Sequence, residues 1–263
     1  MIAIGASAGG VEALRALVAG LPPDLPAAVL VVLHVPRTSP SALPAILSRT
    51  GPLPARAARD GEPIQHGHIY VAPADHHLLV LEQRLRLSRG PSENGHRPAI
   101  DPLFRSAARA LGPRVIGVVL SGARDDGAAG LATIAQHGGQ CVIQEPADAL
   151  HESMPRAAME RVTADAVAPV AAMGDLLAEM VTVTAERLAG DDAPTNSLDG
   201  EIAMSKLADL TSEDLALNPA GYGCPSCGGS LFEIVDQACS TSRRSPSRER
   251  SGWRCGPWRT RPR

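Results

Sequence analysis

Three short stretches of this 263-residue chain carry residue types that could do chemistry together. The first is Gly5-Ala6-Ser7-Ala8-Gly9-Gly10, which follows the apolar run Ile2–Gly5. Read as G-x-S-x-G over Gly5 to Gly9, it places Ser7 on a sharp strand-to-helix turn with its hydroxyl projecting above a sheet. Backbone N–H groups at the following helix N-terminus would then stabilise an oxyanion. A dinucleotide-binding turn needs G-x-G-x-x-G so that backbone can approach a pyrophosphate. Here Ser7 occupies the middle glycine position, and no acid ends the second strand to take a ribose hydroxyl. A glycine-rich turn with a serine N-cap is the third reading. The motif alone leaves all three open.

A nucleophilic serine needs a base, and the base needs an orienting group. Among eight histidines only His34 ends a buried-strand pattern, AAVLVVLH. His66, His68, His76, His77 and His96 lie in polar or turn-rich surroundings, His137 near a helix end and His151 in a loop. Adjacent parallel strands bring their C-terminal ends to one edge, so Ser7 and His34 can meet there. The third group is expected from another strand end, where VIGVVL runs into SGARDDG and supplies Asp125 and Asp126. Acids before a helix commonly cap it, and that role is compatible with orienting a histidine. The order Ser…His…Asp differs from that of the α/β-hydrolases and of both protease lineages.

The elements that must position these groups follow from apolar periodicity. Strands are expected at Ile2–Gly5, Ala27–Leu33, His68–Ala72, Arg114–Leu120, Gln140–Ile143 and Ala166–Val170. Helices are expected at Gly9–Gly20, Ala42–Ser48 (capped by Ser39 or Ser41), Asp101–Leu111, Gly127–His137, Met154–Val162 and Met173–Leu188. His77–Leu81 and Leu85–Ser88 form a β-hairpin. Continuous apolar strands alternating with helices imply right-handed crossovers and buried parallel strands. The predicted fold is therefore α/β and doubly wound, a Rossmann-like three-layer arrangement on a mainly parallel sheet, with a β-hairpin insertion and a disordered C-terminal extension.

Composition agrees with such a body. Apolar residues make up 44% and aromatics only 2%, so the core must be aliphatic, and 25 Gly with 23 Pro argue against a coiled coil. No apolar run reaches the roughly 18 to 20 residues of a membrane span, and no basic flank or long apolar stretch at the N-terminus reads as a secretory signal. A cytoplasmic protein without membrane insertion is expected. The net charge of −3 is uneven: from Gln237 onward eight arginines face one acid, while residues 1–236 carry a net −10. An acidic body is a poor nucleic-acid partner. The expected organisation is a domain at 1–188, an acidic linker at 189–220 containing the amphipathic stretch Glu201–Leu210, and a segment at 221–263. Four of five cysteines lie in that last segment, and the body is not a disulfide scaffold.

Taken together, IGASAGGVEAL, the LHVP after the second strand, GHIYVAPADHHLLV, HRPAIDPLFRSAA and VLSGARDDGAAGL resemble the catalytic domain of the chemotaxis protein-glutamate methylesterase (CheB-type) family. The resemblance runs in order from Met1 to about Met180. It implies a cofactor-independent serine hydrolase that demethylates glutamate γ-methyl esters on methyl-accepting chemotaxis-type receptors, with possible deamidation of receptor glutamines and a possible partner methyltransferase. Position by position, it assigns the nucleophile to Ser7, the base to His34 and the orienting acid to Asp126. Oxyanion donors fall on the backbone N–H groups of Ala8 and of the Gly122–Arg124 turn, hence Ala123 and Arg124.

Three departures stand out. The chain begins at the catalytic domain's first strand, so no receiver domain is expected to control it in cis. Ala123-Arg124 replaces residues that are often apolar or glycine in the family. Cys224-Pro225-Ser226-Cys227 resembles half of a zinc ribbon, but only Cys239 and Cys255, 16 residues apart, remain to complete it. Cys224 and Cys227 are thus weak metal candidates, and no resident metal is expected. The alternative to an enzyme is a catalytically silent receptor-binding module of the same fold.

Overall fold

The computed structural model describes residues 1–38, 41–188, 218–223, 230–233 and 253–255, with side chains through residue 184. Seven strands form one parallel sheet: β1 (Ile2–Ala6), β2 (Val29–Leu33), β3 (Ala55–Ala57), β4 (Ile69–Val71), β7 (Ile116–Val119), β8 (Gln140–Gln144) and β9 (Ala166–Ala168). Their order is β3-β4-β2-β1-β7-β8-β9. From β1 the chain builds outward through β2 to one edge, then returns to pair β7 on the other side of β1. The carboxyl ends of β1, β2 and β7 therefore meet where the strand order reverses, the position at which doubly wound sheets leave a crevice.

The three central strands, IAIGA, VLVVL and IGVV, are buried throughout. Alternate residues point to opposite faces, and each face has its own core. Ile2, Ile4 and Ala6 pack with α1 (Gly10–Ala19), α2 (Leu43–Thr50) and α6 (Met173–Leu188). Ala3, Leu30 and Val32 pack beneath α3 (Ile100–Leu111), α4 (Ala128–Gln136) and α5 (Ser153–Met159). The three-layer expectation holds. The hairpin β5 (His77–Leu81) and β6 (Arg84–Ser88) is present as a separate two-stranded sheet against α3. Its turn is tighter than expected: only Glu82 and Gln83 lie outside the strands, both with positive φ, as two-residue hairpins with the twist of a sheet require.

Helix α2 starts one residue later than expected, so Ala42 and not Ser41 is its N-cap residue, although Ser41 Oγ still accepts the Leu43 N–H at 3.3 Å; Ser39 lies outside the described residues. Strand β3 was not expected. In the C-terminal segment the backbone forms an antiparallel sheet of β10 (Asn218–Gly223), β11 (Ser230–Glu233) and β12 (Trp253–Cys255). Glu201–Leu210, the CxxC cysteines Cys224 and Cys227, and the remainder of the expected disordered extension lie outside the described residues. Among the described residues no helix is long and apolar enough to cross a membrane, and no cluster of His, Cys, Asp and Glu is arranged to hold a metal ion.

Candidate active site

Ser7 follows β1 directly, and the chain then turns through Gly9, at φ 72°, into α1. His34 follows β2, and Asp126 lies in the loop between β7 and α4. The structure brings these three together. Ser7 Oγ lies 3.0 Å from His34 Nδ1, and His34 Nε2 lies 2.7 Å from Asp126 Oδ2. Ionised Asp126 can only accept, so Nε2 carries the proton and Nδ1 is free to accept from Ser7 Oγ–H. The imidazole is thus used with its nitrogens reversed relative to the serine-protease arrangement, where Nε2 faces the serine. The side chains of His34 and Asp126 are 5% and 1% exposed, so this relay is shielded from competing water.

Asp126, and not its neighbour Asp125, faces the histidine; Asp125 is exposed. Burial by itself would raise the Asp126 carboxyl. It is outweighed by the hydrogen bond and charge of His34, the Ile100 N–H and the Asn94 amide, which hold the carboxyl low. Asp126 Oδ2 accepts from Ile100 N–H at 2.7 Å, and Oδ1 accepts from Asp101 N–H at 3.2 Å and from Asn94 Nδ2 at 2.8 Å. Asp126 therefore caps α3 and not the helix that follows it in sequence. Asp101, in the first turn of α3, repays the arrangement in space: its Oδ1 accepts the Gly127 and Gly130 N–H groups at the start of α4, at 3.0 and 2.7 Å. Burial first, then the Asp126 charge, pushes the Asp101 carboxyl up.

Of the expected oxyanion donors, the Ala8 and Ala123 N–H groups make no hydrogen bond among the described residues. Arg124 is a correction. Its N–H donates to Ser153 Oγ at 3.2 Å, and Gly122 N–H donates to the His151 carbonyl at 3.0 Å. The turn therefore leaves one donor, Ala123, where the sequence offered several. Arg124 also sits at φ 71°, a left-handed conformation that costs a residue with a Cβ roughly 1 to 2 kcal/mol. Glycine there relieves that strain but loses more chain entropy on folding. Arg124→Gly should therefore gain a net ~0.5 to 1 kcal/mol, read as a higher denaturant midpoint at unchanged slope.

The other loop residues sort clearly. His96 stacks on His34, ring centroids 3.6 Å apart and planes within 7°. Burial and then the neighbouring His34 lower its pKa. His77 is structural: it is 1% exposed, its Nε2 donates to the Pro91 carbonyl and its Nδ1 accepts the Ala99 N–H. Arg97 binds Asp75 Oδ1 at 2.6 Å and the carbonyls of Arg89 and Gly90. His76 turns back to the Ala74 carbonyl. Cys141 is a core residue whose thiol burial, then Asp165, pushes up to about 12. Sequence reasoning did not find Asn94 or Asp101; the Asn94-Gly95 dipeptide was the one local signal, as a two-residue turn.

A sequence model of the CheB methylesterase family matches residues 2–177. The chain is 40% identical over 181 residues to a protein-glutamate methylesterase/protein-glutamine glutaminase of Xanthomonas campestris, covering 67% of this chain and 50% of that protein. A protein of the same description from Methanosarcina mazei is 36% identical over 189 residues, covering 69% and 52%. The chain spans about half the length of these curated relatives. The crystal structure of the Thermotoga maritima CheB methylesterase catalytic domain superposes with a TM-score of 0.66 at 30% identity, covering 68% of this chain and 97% of that one.

Proposed function

This chain belongs to the CheB methylesterase family, and on that premise we propose that residues 1–188 hydrolyse glutamate γ-methyl esters on the cytoplasmic signalling helices of chemotaxis-type receptors. The observation that carries the reading is the continuous relay from Ser7 Oγ through both nitrogens of His34 to Asp126. His34 Nδ1 takes the Ser7 proton as Oγ attacks the ester carbonyl carbon. Asp126 stabilises the imidazolium that results. We assign the oxyanion to the Ala8 and Ala123 N–H groups, backbone dipoles that are in place before the charge develops. As the tetrahedral adduct collapses, Nδ1 returns the proton to the departing methoxide and methanol leaves. Water, deprotonated by Nδ1, then releases glutamate from Ser7. The same steps on a glutamine side chain expel ammonia, which gives the deamidation its chemistry without a further group.

The deciding experiment is methanol release from a methylated receptor cytoplasmic fragment, with ammonia release from the unmethylated fragment run alongside. Methanol production abolished by Ser7→Ala supports the reading. Binding of the fragment with no turnover would replace it with a silent receptor-binding module.

Gly122 offers an independent check on where the nucleophile stands. A Cβ built there would lie 2.9 Å from the Ser7 Cβ and would also collide with the Met154 thioether. Ser7 must then give by a few tenths of an ångström, and a full displacement of about 1 Å at a reacting group costs on the order of 100-fold. Gly122→Ala should therefore lower kcat by roughly tenfold, measured by methanol release.

A further inference from the structure

Residues Glu93 to His96 form a two-residue hairpin turn above the site. Glu93 N–H donates to the His96 carbonyl at 3.1 Å, and His96 N–H donates back to Glu93 at 2.8 Å. Between them Asn94 and Gly95 have φ of 52° and 84°, the left-handed pair that an Asn-Gly turn of this kind requires. The turn is tied to α3 through Glu93, whose two carboxylate oxygens accept from Arg105 Nη2 at 2.8 and 2.7 Å. It touches the relay twice: His96 lies flat on the His34 ring, and Asn94 Nδ2 reaches the buried acids.

We propose that Asn94 is a positioning residue of this site: its side-chain amide joins the Asp126 carboxylate to that of Asp101, so that Asp126 keeps Oδ2 turned to His34. This rests on the reading of Ser7, His34 and Asp126 as the catalytic relay. Asn94 Nδ2 lies 2.8 Å from Asp126 Oδ1 and 3.0 Å from Asp101 Oδ2. A primary amide has two N–H groups on one nitrogen, so it can donate to one oxygen of each acid at once. Two buried carboxylates this close repel, and without a donor between them each would turn away from the other. Rotation of Asp126 would draw Oδ2 off both the Ile100 N–H and His34 Nε2. Among the described residues, the amide bonds both acids, while Asp101 Oδ1 accepts the N–H groups at the start of α4 and Asp126 is also held by His34 and the first N–H groups of α3. Asparagine is also among the few residues with a side chain that adopt the left-handed region readily.

That backbone conformation makes a clean test available. Asn94→Gly keeps the turn without strain and removes only the amide. Asn94→Asp keeps both shape and turn but replaces the donor with a third carboxylate. A hydrogen bond to a charged group is worth enough that its loss lowers kcat roughly 10- to 100-fold in Asn94→Gly. KM for the methylated receptor fragment should stay within about twofold, since a group acting only through the relay does not touch substrate. Asn94→Asp should lose more. The second readout does not depend on turnover. The His34 Nε2 proton, held by Asp126, should give a far-downfield proton resonance, assigned by its absence in His34→Ala. In Asn94→Gly this resonance should move upfield or broaden in protein that still folds, with Tm lowered by only several degrees. An unmoved resonance overturns the proposal whatever the activity, as does an unchanged kcat. Failure of the wild-type protein to release methanol counts against the esterase reading, and the resonance still decides the role of Asn94.

Discussion

Ser7→Ala should lower ester turnover by roughly 10⁴- to 10⁶-fold, the scale on which serine hydrolases lose rate when the nucleophile is removed. Among the described residues, the neighbouring hydroxyl of Ser121 does not substitute for it. Ser121, which lies in the loop after β7, spends its Oγ on the Ala8 carbonyl and on the His151 N–H. Folding should hardly change. Ser7 holds the turn through its backbone, its N–H donating to the Ser121 carbonyl and its carbonyl accepting from Gly10, and alanine retains both bonds. Among the described residues, the partner of the half-buried hydroxyl is the His34 ring. Thermal unfolding of Ser7→Ala should therefore track wild type within a few degrees while methanol release falls to background. Parallel loss of both would make Ser7 a structural residue.

The second large effect separates two adjacent acids. Asp126→Asn should lower turnover about 10⁴-fold, because an amide in place of a triad carboxylate favours the wrong histidine tautomer. The structure shows why the substitution has no easy accommodation. Asp126 presents acceptors on both oxygens, one to His34 and Ile100 and one to Asp101 and Asn94. Asparagine has one oxygen, so whichever pair faces its NH₂ is left donor against donor. If the oxygen stays on the α3 side at Oδ1, the NH₂ confronts His34 Nε2–H, and the ring must shift its proton to Nδ1, where Ser7 needs an acceptor. The exposed neighbour has no such role, and Asp125→Asn should cost on the order of tenfold or less through local charge. Side-by-side kcat values on methylated receptor fragment check the pair. A larger loss at Asp125 would overturn the assignment.

Much of this site was legible because its parts are local signals. Ser7 is announced by glycines on both sides, and His34 by seven apolar residues before it. Both follow from one rule, that adjacent parallel strands end on the same edge. Asp126 came from the family resemblance, since spacing offers Asp125 equally; only its burial in the loop after β7 separates them. Strand β3 escaped because Ala55–Ala57 is three residues long at the sheet edge, and Ala-Arg-Ala is too short and too weakly apolar to establish a period. The loss of Arg124 as an oxyanion donor was unreadable because Ser153, which takes its N–H, is 29 residues away. Asp101 reads in sequence as an ordinary first-turn acid of its own helix. Its actual partners are the backbone groups of a helix 26 to 29 residues further on, and no periodicity reports a side chain that leaves its own element.

That exchange of acids between α3 and α4 also bears on how the molecule opens. An N-terminal turn is ordinarily secured by a residue beside it, so a helix can keep its cap while its neighbours come loose. Here neither helix has a side-chain cap from its own N-cap residue, and each start is secured by the carboxylate that the other's approach delivers. Undocking one uncaps both. The amides of Ile100, Asp101, Gly127 and Gly130 should accordingly exchange with solvent deuterium together, as one cooperative unit with a common opening free energy. Asp126 belongs to that unit, so any opening that frees these helices also dissolves the relay to His34, and a partly unfolded chain carries no assembled relay.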